Sequence, residues 1–572
     1  MSDAKLSFEV QTYNNGRWAI NSTLPSEEAA RRKATELLGQ KQIAGVRIIK
    51  ESTFGSGNRR ESEIFSKLKE VEEKDDFTIV SVDNAPFCKE AADYYKTAAR
   101  AVMGRMLSKY LEKVEMTPFE IMHNHSSMKR LLNLDSLMSS AVDKIAGIQA
   151  RMSGENARAR RDILFAAVDS IGKRAREAES KDVPELKNST LDELLKRLDA
   201  KIGDEGERQF LANVALAKVS IGWQGWIGKM TGLLPLARSQ QDERALAMID
   251  ESIADILVAR TSVKDVIGIS RHMGDAIMRI LDLIEGKCTP TKFAAVDLVV
   301  LLNALLAEGK LPRSKGALID RIERDMTSAA PLIERAEGDA EKDFFKLMLA
   351  RIVTDQGVVG GHPVATGLAD RWARLCNMGG KAGRRNAMEG LLGLLESGRR
   401  KFVFLLALYD KDADADFRGA VEIQIRNFVA QNKTIKALAP SAKTQTARLQ
   451  EVAAIQKLVL ESDLDPNFKG PIADGFDMLV SDYIISENVI ERLDDAQLSF
   501  RDRAIRLVRF STSGVLTVGR ATTIARERIT AYLKRHDFIS EFTAGITDPA
   551  EQAKVITDFY ALLTTAGFSP RS

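Results

Sequence analysis

Runs of hydrophobic side chains at every second residue occur only up to about residue 84, and from there to the end the repeat is about 3.6 residues. One segment of that kind folds as sheet and the other as helix, so the chain must change architecture once, near its start. Leu6, Phe8 and Val10 alternate with polar neighbours, Asn14-Asn15-Gly16 follows, and Trp18 and Ile20 alternate again. That is strand, turn, strand, a β-hairpin. Pro25-Ser26-Glu27-Glu28 then opens a helix with Ala30, Ala34, Leu37 and Leu38 on one face, and Val46 with Ile48 predicts a third strand. A second helix carrying Ile64, Phe65 and Leu68 and a strand over Phe77 to Val82 complete the expected module, with Asp83-Asn84-Ala85-Pro86 as its exit.

Beyond that point apolar residues recur at helical spacing, as in Val102, Met106 and Tyr110 or Leu318, Ile322 and Met326. Helix starts are spelled out by Thr117-Pro118-Phe119-Glu120, Thr190-Leu191-Asp192-Glu193 and Asp548-Pro549-Ala550-Glu551, each placing a capping oxygen three residues before a Glu. The pattern predicts roughly twenty helices. No fixed period of ~30 to 45 residues recurs, so a regular solenoid is not indicated. The expected fold is mainly α: an irregular multi-helix bundle or degenerate α-solenoid behind a small N-terminal α+β domain. The predicted division is residues 1–84 (hairpin, helix, strand, helix, strand), a helical body over 85–435, and a C-terminal helical domain over 436–572.

Composition narrows the class of partner. A net charge of +3 over 572 residues is too small for a general phosphate-attracting field, so nucleic acid is not an expected partner. Cys88, Cys288 and Cys376 are too far apart for a disulfide framework or a paired-cysteine metal site, which fits a reducing, cytoplasmic setting. The N-terminus lacks the charged-then-apolar pattern of a signal peptide. The longest apolar run, Phe293 to Ala307, contains Asp297 and Asn303 and reads as a core helix, so no membrane insertion is expected.

Catalytic motifs are missing: no serine sits in a Gly-x-Ser-x-Gly elbow, and Gly55-Ser56-Gly57 lacks the third glycine of a dinucleotide fingerprint, having Arg60 there. His123 and His125 fall on different sides of a helix, and His536-Asp537 lacks the further ligands of a metal-dependent phosphohydrolase. No catalytic residue and no cofactor is predicted.

Three weaker constellations remain. Gly379-Gly380-Lys381-Ala382-Gly383-Arg384-Arg385, followed by Gly398-Arg399-Arg400-Lys401, combines exposed backbone amides with cations and predicts a small anionic ligand at Lys381, Arg384, Arg385, Arg399, Arg400 and Lys401. Asp410, Asp412 and Asp414 alternate as in a calcium loop, although Ala415 replaces the turn glycine and Glu422 stands one place late. The competing reading is a solvated helix connection with Asp416 as N-cap. Asp463, Asp465, Asn467 and Asp474 form a poorer match, interrupted by Phe468 and Pro471.

Partner contacts are expected at Tyr13, Arg17 and Trp18 of the hairpin and at Trp223 and Trp226, which lie among Gly222, Gly225 and Gly228. Residues 461–495 carry ten acidic and two basic side chains and residues 501–535 nine basic and two acidic, which predicts pairing within the chain. Taken together these features predict a non-enzymatic cytoplasmic adaptor or regulatory scaffold that binds protein partners. The rival reading is a nucleotide- or phosphate-responsive regulator or enzyme centred on residues 381–401.

Overall fold

The structure, a computed structural model, describes residues 5–14, 17–40, 43, 45–53, 59–68, 77–181, 186, 190–290, 296–336, 339–380, 382–440 and 442–568. It divides into two compact units, Met1–Thr78 and Ile79–Ser572.

The first unit is a four-stranded antiparallel sheet with one helix on it. Strands β1 (Lys5–Asn14), β2 (Arg17–Leu24), β3 (Gly45–Thr53) and β4 (Arg59–Leu68) lie in the order β2-β1-β3-β4. The helix Glu27–Gly39 links β2 to β3 and is capped by Ser26, whose hydroxyl accepts the Ala29 amide. It buries Ala30, Ala34 and Leu37 against Phe8, Val10, Val46 and Ile48, the alternating inward set of β1 and β3.

One element differs in kind from the sequence expectation. Ile64, Phe65 and Leu68 belong to strand β4 rather than to a helix, and residues 77–82 form neither strand nor helix. The cause is a bulge. Ile48 pairs with Phe65 while Ile49 pairs with Glu63, leaving Ile64 as an extra residue. That insertion breaks the period of two and leaves apolar residues at 64, 65 and 68, the spacing of a helical face.

Among the described residues the second unit is built on helices, with an isolated β-bridge between Val353 and Val358. Among the described residues the chain has twenty-nine helices, more than the hydrophobic period predicts, because one-turn pieces such as Ala91–Tyr94, Pro118–Met122 and Ile435–Leu438 are too short to display a period. Thr117 and Thr190 form complete capping boxes with Glu120 and Glu193, and Asp548 caps its helix through the Ala550 amide. The helix Val296–Ala307 buries Leu298, Val299, Leu302, Leu305 and Leu306 but leaves Val296 and Val300 exposed. Among the described residues no helix is long and apolar enough to cross a membrane.

Packing combines sequence neighbours with distant helices. The hairpin of Asp135–Ser153 and Ala157–Glu179 is a neighbour pair. The helix Glu243–Val258, by contrast, packs along Pro312–Thr327 and Thr97–Met106 and is buried almost all round. A single hydrophobic core runs from Phe119 to Leu563 and is continuous across residues 435–436.

Candidate functional site

The helix of the N-terminal unit covers one face of its sheet, so residues on the other face are set by register alone. Tyr13 pairs with Trp18, Gln11 with Ile20 and with Arg47, which puts all five side chains on the face opposite the helix. There the rings of Tyr13 and Trp18 meet at 4.9 Å, and the Arg47 guanidinium lies 4.6 Å from the Trp18 ring. Arg47 is held in place: its Nε donates to Gln11 Oε1 at 2.9 Å, and a terminal nitrogen stands 3.7 Å from Glu63. Gln11 in turn donates to Glu9. Ile20 is 60% exposed at the margin. Arg17, adjacent in sequence, is exposed and pairs with Asn14 in the ladder. Sequence reasoning picked out Tyr13, Arg17 and Trp18 and missed Arg47, which only strand pairing brings beside the indole.

The basic cluster sits at the starts of two helices, Gly383–Leu394 and Gly398–Leu408; Lys381 lies outside the described residues. Its guanidinium groups mostly have carboxylate partners. Arg384 grips Asp370 with two bonds of 2.8 and 3.1 Å, Arg385 pairs with Glu389, and Arg400 stands 3.4 Å from Asp355. The Ser397 hydroxyl already accepts the Arg400 amide at the second helix start. Arg399 has a buried Nε with no hydrogen-bond partner, and Lys401 follows Arg400 on the same helix. Three of these guanidinium groups, those of Arg384, Arg385 and Arg400, are thus already paired with carboxylates.

Asp410, Asp412 and Asp414 do not converge as a ligand set. Among the described residues no group of three His, Cys, Asp or Glu side chains is placed to hold a metal. Asp410 spends an oxygen on the Asp412 amide at 2.9 Å, and Asp414, rather than Asp416, is the N-cap of the helix Ala415–Gln431. The second acidic match is part of a helix, Pro466–Ser486, capped by Asp465.

Trp226 is 6% exposed, its indole N–H donating to Thr261 Oγ1 at 3.1 Å, so it is a core residue. Trp223 lies against Gly232, where an added Cβ would stand 2.5 Å from the ring. The residue that makes room for an indole is thus Gly232, and Gly228 faces open space. In the C-terminal segments, pairing within the chain centres on Asp494, which meets Arg503 at 3.2 Å, Arg528 at 3.6 Å and the Tyr532 hydroxyl.

Two further features go beyond the sites picked out from the sequence. The first is a set of buried carboxylates that cap helices remote in sequence. Asp255 accepts the Phe119 amide and the Arg100 guanidinium; Asp250 accepts the amides of Arg313 and Ser314; Asp477 accepts those of Arg520 and Ala521. Burial pushes the pKa of Asp250 and Asp255 up, and their donors oppose the shift. One turn from the Phe119 amide that Asp255 caps, His123 is fully buried. Its Nδ1 lies 2.7 Å from the Phe119 carbonyl, which makes that nitrogen the donor, and burial drives its pKa down to about 3.

The second is a cavity between the helices Thr97–Met106 and His125–Leu132 and the hairpin Asp135–Ser153/Ala157–Glu179. It measures about 160 Å³ and widens to about 900 Å³ when the space open to solvent is counted. Met103, Met106, Met122, Met128 and Met138 all line it, and its surface is almost wholly apolar. The signal available in the sequence was clustering: six of the seventeen methionines fall between residues 103 and 138.

Comparison with protein-family models, with curated proteins and with solved structures finds no match.

Proposed function

We propose that this protein is a non-enzymatic adaptor of the cytoplasm whose N-terminal unit recognises a protein partner through the sheet face bearing Tyr13, Trp18 and Arg47. The observation that carries this reading is the aromatic–guanidinium stack. Trp, Tyr and Arg are the side chains that dominate binding energy in protein interfaces, because they offer large rigid surface with a polar edge. Here the three are fixed before any partner arrives: Arg47 is tied to Gln11 and Glu63, and the rings are set by strand register. A prearranged patch loses less side-chain freedom on association. The exposed Ile20 extends it with apolar surface.

A further observation favours binding over chemistry. The guanidinium groups of Arg384, Arg385 and Arg400 are already neutralised by Asp370, Glu389 and Asp355, which weakens the rival phosphate-responsive reading. Cys88, Cys288 and Cys376 are all free thiols, in keeping with a reducing compartment. The test is affinity capture from source cells on the full chain and on a variant carrying Trp18→Ala and Arg47→Ala. Partners retained by the first and lost by the second support the assignment; an unchanged set refutes it.

A further inference from the structure

We infer that the methionine-lined cavity of the helical unit is a binding site for an unbranched aliphatic chain of the fatty-acyl class. Three observations point to that chemistry. First, most polar groups on the wall are already occupied. Gln149 donates to the Pro86 carbonyl and accepts from Arg160; Arg160 also donates to the Cys88 carbonyl; Arg100 is bound by Asp255 and Glu251. Apart from the Tyr94 hydroxyl, the wall has little to offer a polar ligand, and polar groups buried against the rest of it would be left unsatisfied. The portion bound inside is therefore hydrocarbon.

Second, five of the wall residues are methionines, whose unbranched thioether side chains change rotamer readily and mould to a chain of variable conformation, unlike the fixed contours that leucine or valine would present to a rigid ring. Third, the hairpin beyond the cavity has its own small core, formed by Val142, Ala146 and Leu164, separate from the main one. An inserted chain joins the two cores across the gap. The enclosed part, about 160 Å³, is narrow enough to suit a slender chain, and the open side leaves room for a polar head in water.

The experiment is a titration of the full chain with the fluorescent polyene parinaric acid, followed by displacement with saturated fatty acids of increasing length, with palmitoyl-coenzyme A and with cholesterol. Saturable binding is expected, displaced by palmitate and not by cholesterol, with affinity rising by up to about fourfold per methylene until the cavity is full. Displacement by palmitate alone assigns the free acid, and displacement by both palmitoyl ligands assigns the chain whatever its head. Val142→Phe and Ala167→Leu, which fill the cavity, are each expected to weaken binding at least tenfold without lowering the melting temperature. Absence of saturable binding, an affinity independent of chain length in the wild-type protein, or undiminished binding in a folded variant would overturn the proposal. The chain-length series needs no variant, so it decides the matter even where a substitution prevents folding.

Discussion

Lys229 Nζ stands 2.6 Å from both carboxylate oxygens of Glu120, and the two side chains are buried. Glu120 serves three partners: besides Lys229 it accepts the Ser220 hydroxyl and, as the second half of a capping box, the Thr117 amide. Lys229 also donates to the Glu115 carbonyl. This cluster fixes the short helix Pro118–Met122 against Glu205–Ile221 and Gly225–Ser239.

Removing one partner leaves a buried, uncompensated charge. Lys229→Met is expected to destabilise the helical unit by about 3–5 kcal/mol, whereas Lys229→Met combined with Glu120→Gln should recover a substantial part of that loss. Urea unfolding of the two variants checks this. A double variant as unstable as the single one would show that the ion pair is not the source of the effect.

Gly519 has φ +138°, and an added Cβ would lie well inside contact distance of Asp477 Oδ2, which accepts the neighbouring Arg520 amide at 2.6 Å. Gly519→Ala therefore strains the backbone and displaces the carboxylate that caps the helix Arg520–Leu533. A loss of about 2–4 kcal/mol is expected, read as a lower urea midpoint. A midpoint equal to that of the wild type would contradict the close approach.

His123 carries a pH dependence whose sign follows from its burial. Its folded pKa, about 3, lies below the unfolded value near 6.5, so the unfolded chain binds the proton first as the medium is acidified. The stability it contributes is fully present above about pH 6.5 and is lost as pH falls toward 3. Between pH 7 and 5 this amounts to about 2 kcal/mol. The difference in unfolding free energy between wild type and His123→Phe should shift by that amount across the interval, in favour of the variant at the acid end. A difference independent of pH would show that His123 titrates normally.

How much of this was legible beforehand depended on whether an interaction is local. The capping boxes at Thr117 and Thr190 were readable because donor and acceptor lie three residues apart. Tyr13 and Trp18 were readable because they lie on adjacent strands close in sequence, which pair locally. Arg47 was not, since its place beside Trp18 depends on β1 pairing with β3 across the intervening helix. Strand β4 was misread because its bulge at Ile64 imitates a helical spacing. The carboxylates of Asp250, Asp255 and Asp477 act on amides more than forty positions away, and no local pattern marks such a pair. The cavity is a property of packing among several helices, with only the crowding of methionines to announce it.

The central claim is that the sheet face of the N-terminal unit does the recognising. The most direct measurement is quantitative affinity capture from source cells with the full chain, comparing wild type with Trp18→Ala/Arg47→Ala after circular dichroism has shown both to be folded. At least one partner is predicted to be retained by the wild type and depleted at least tenfold by the double variant. Equal recovery of every partner by the two proteins would contradict the claim.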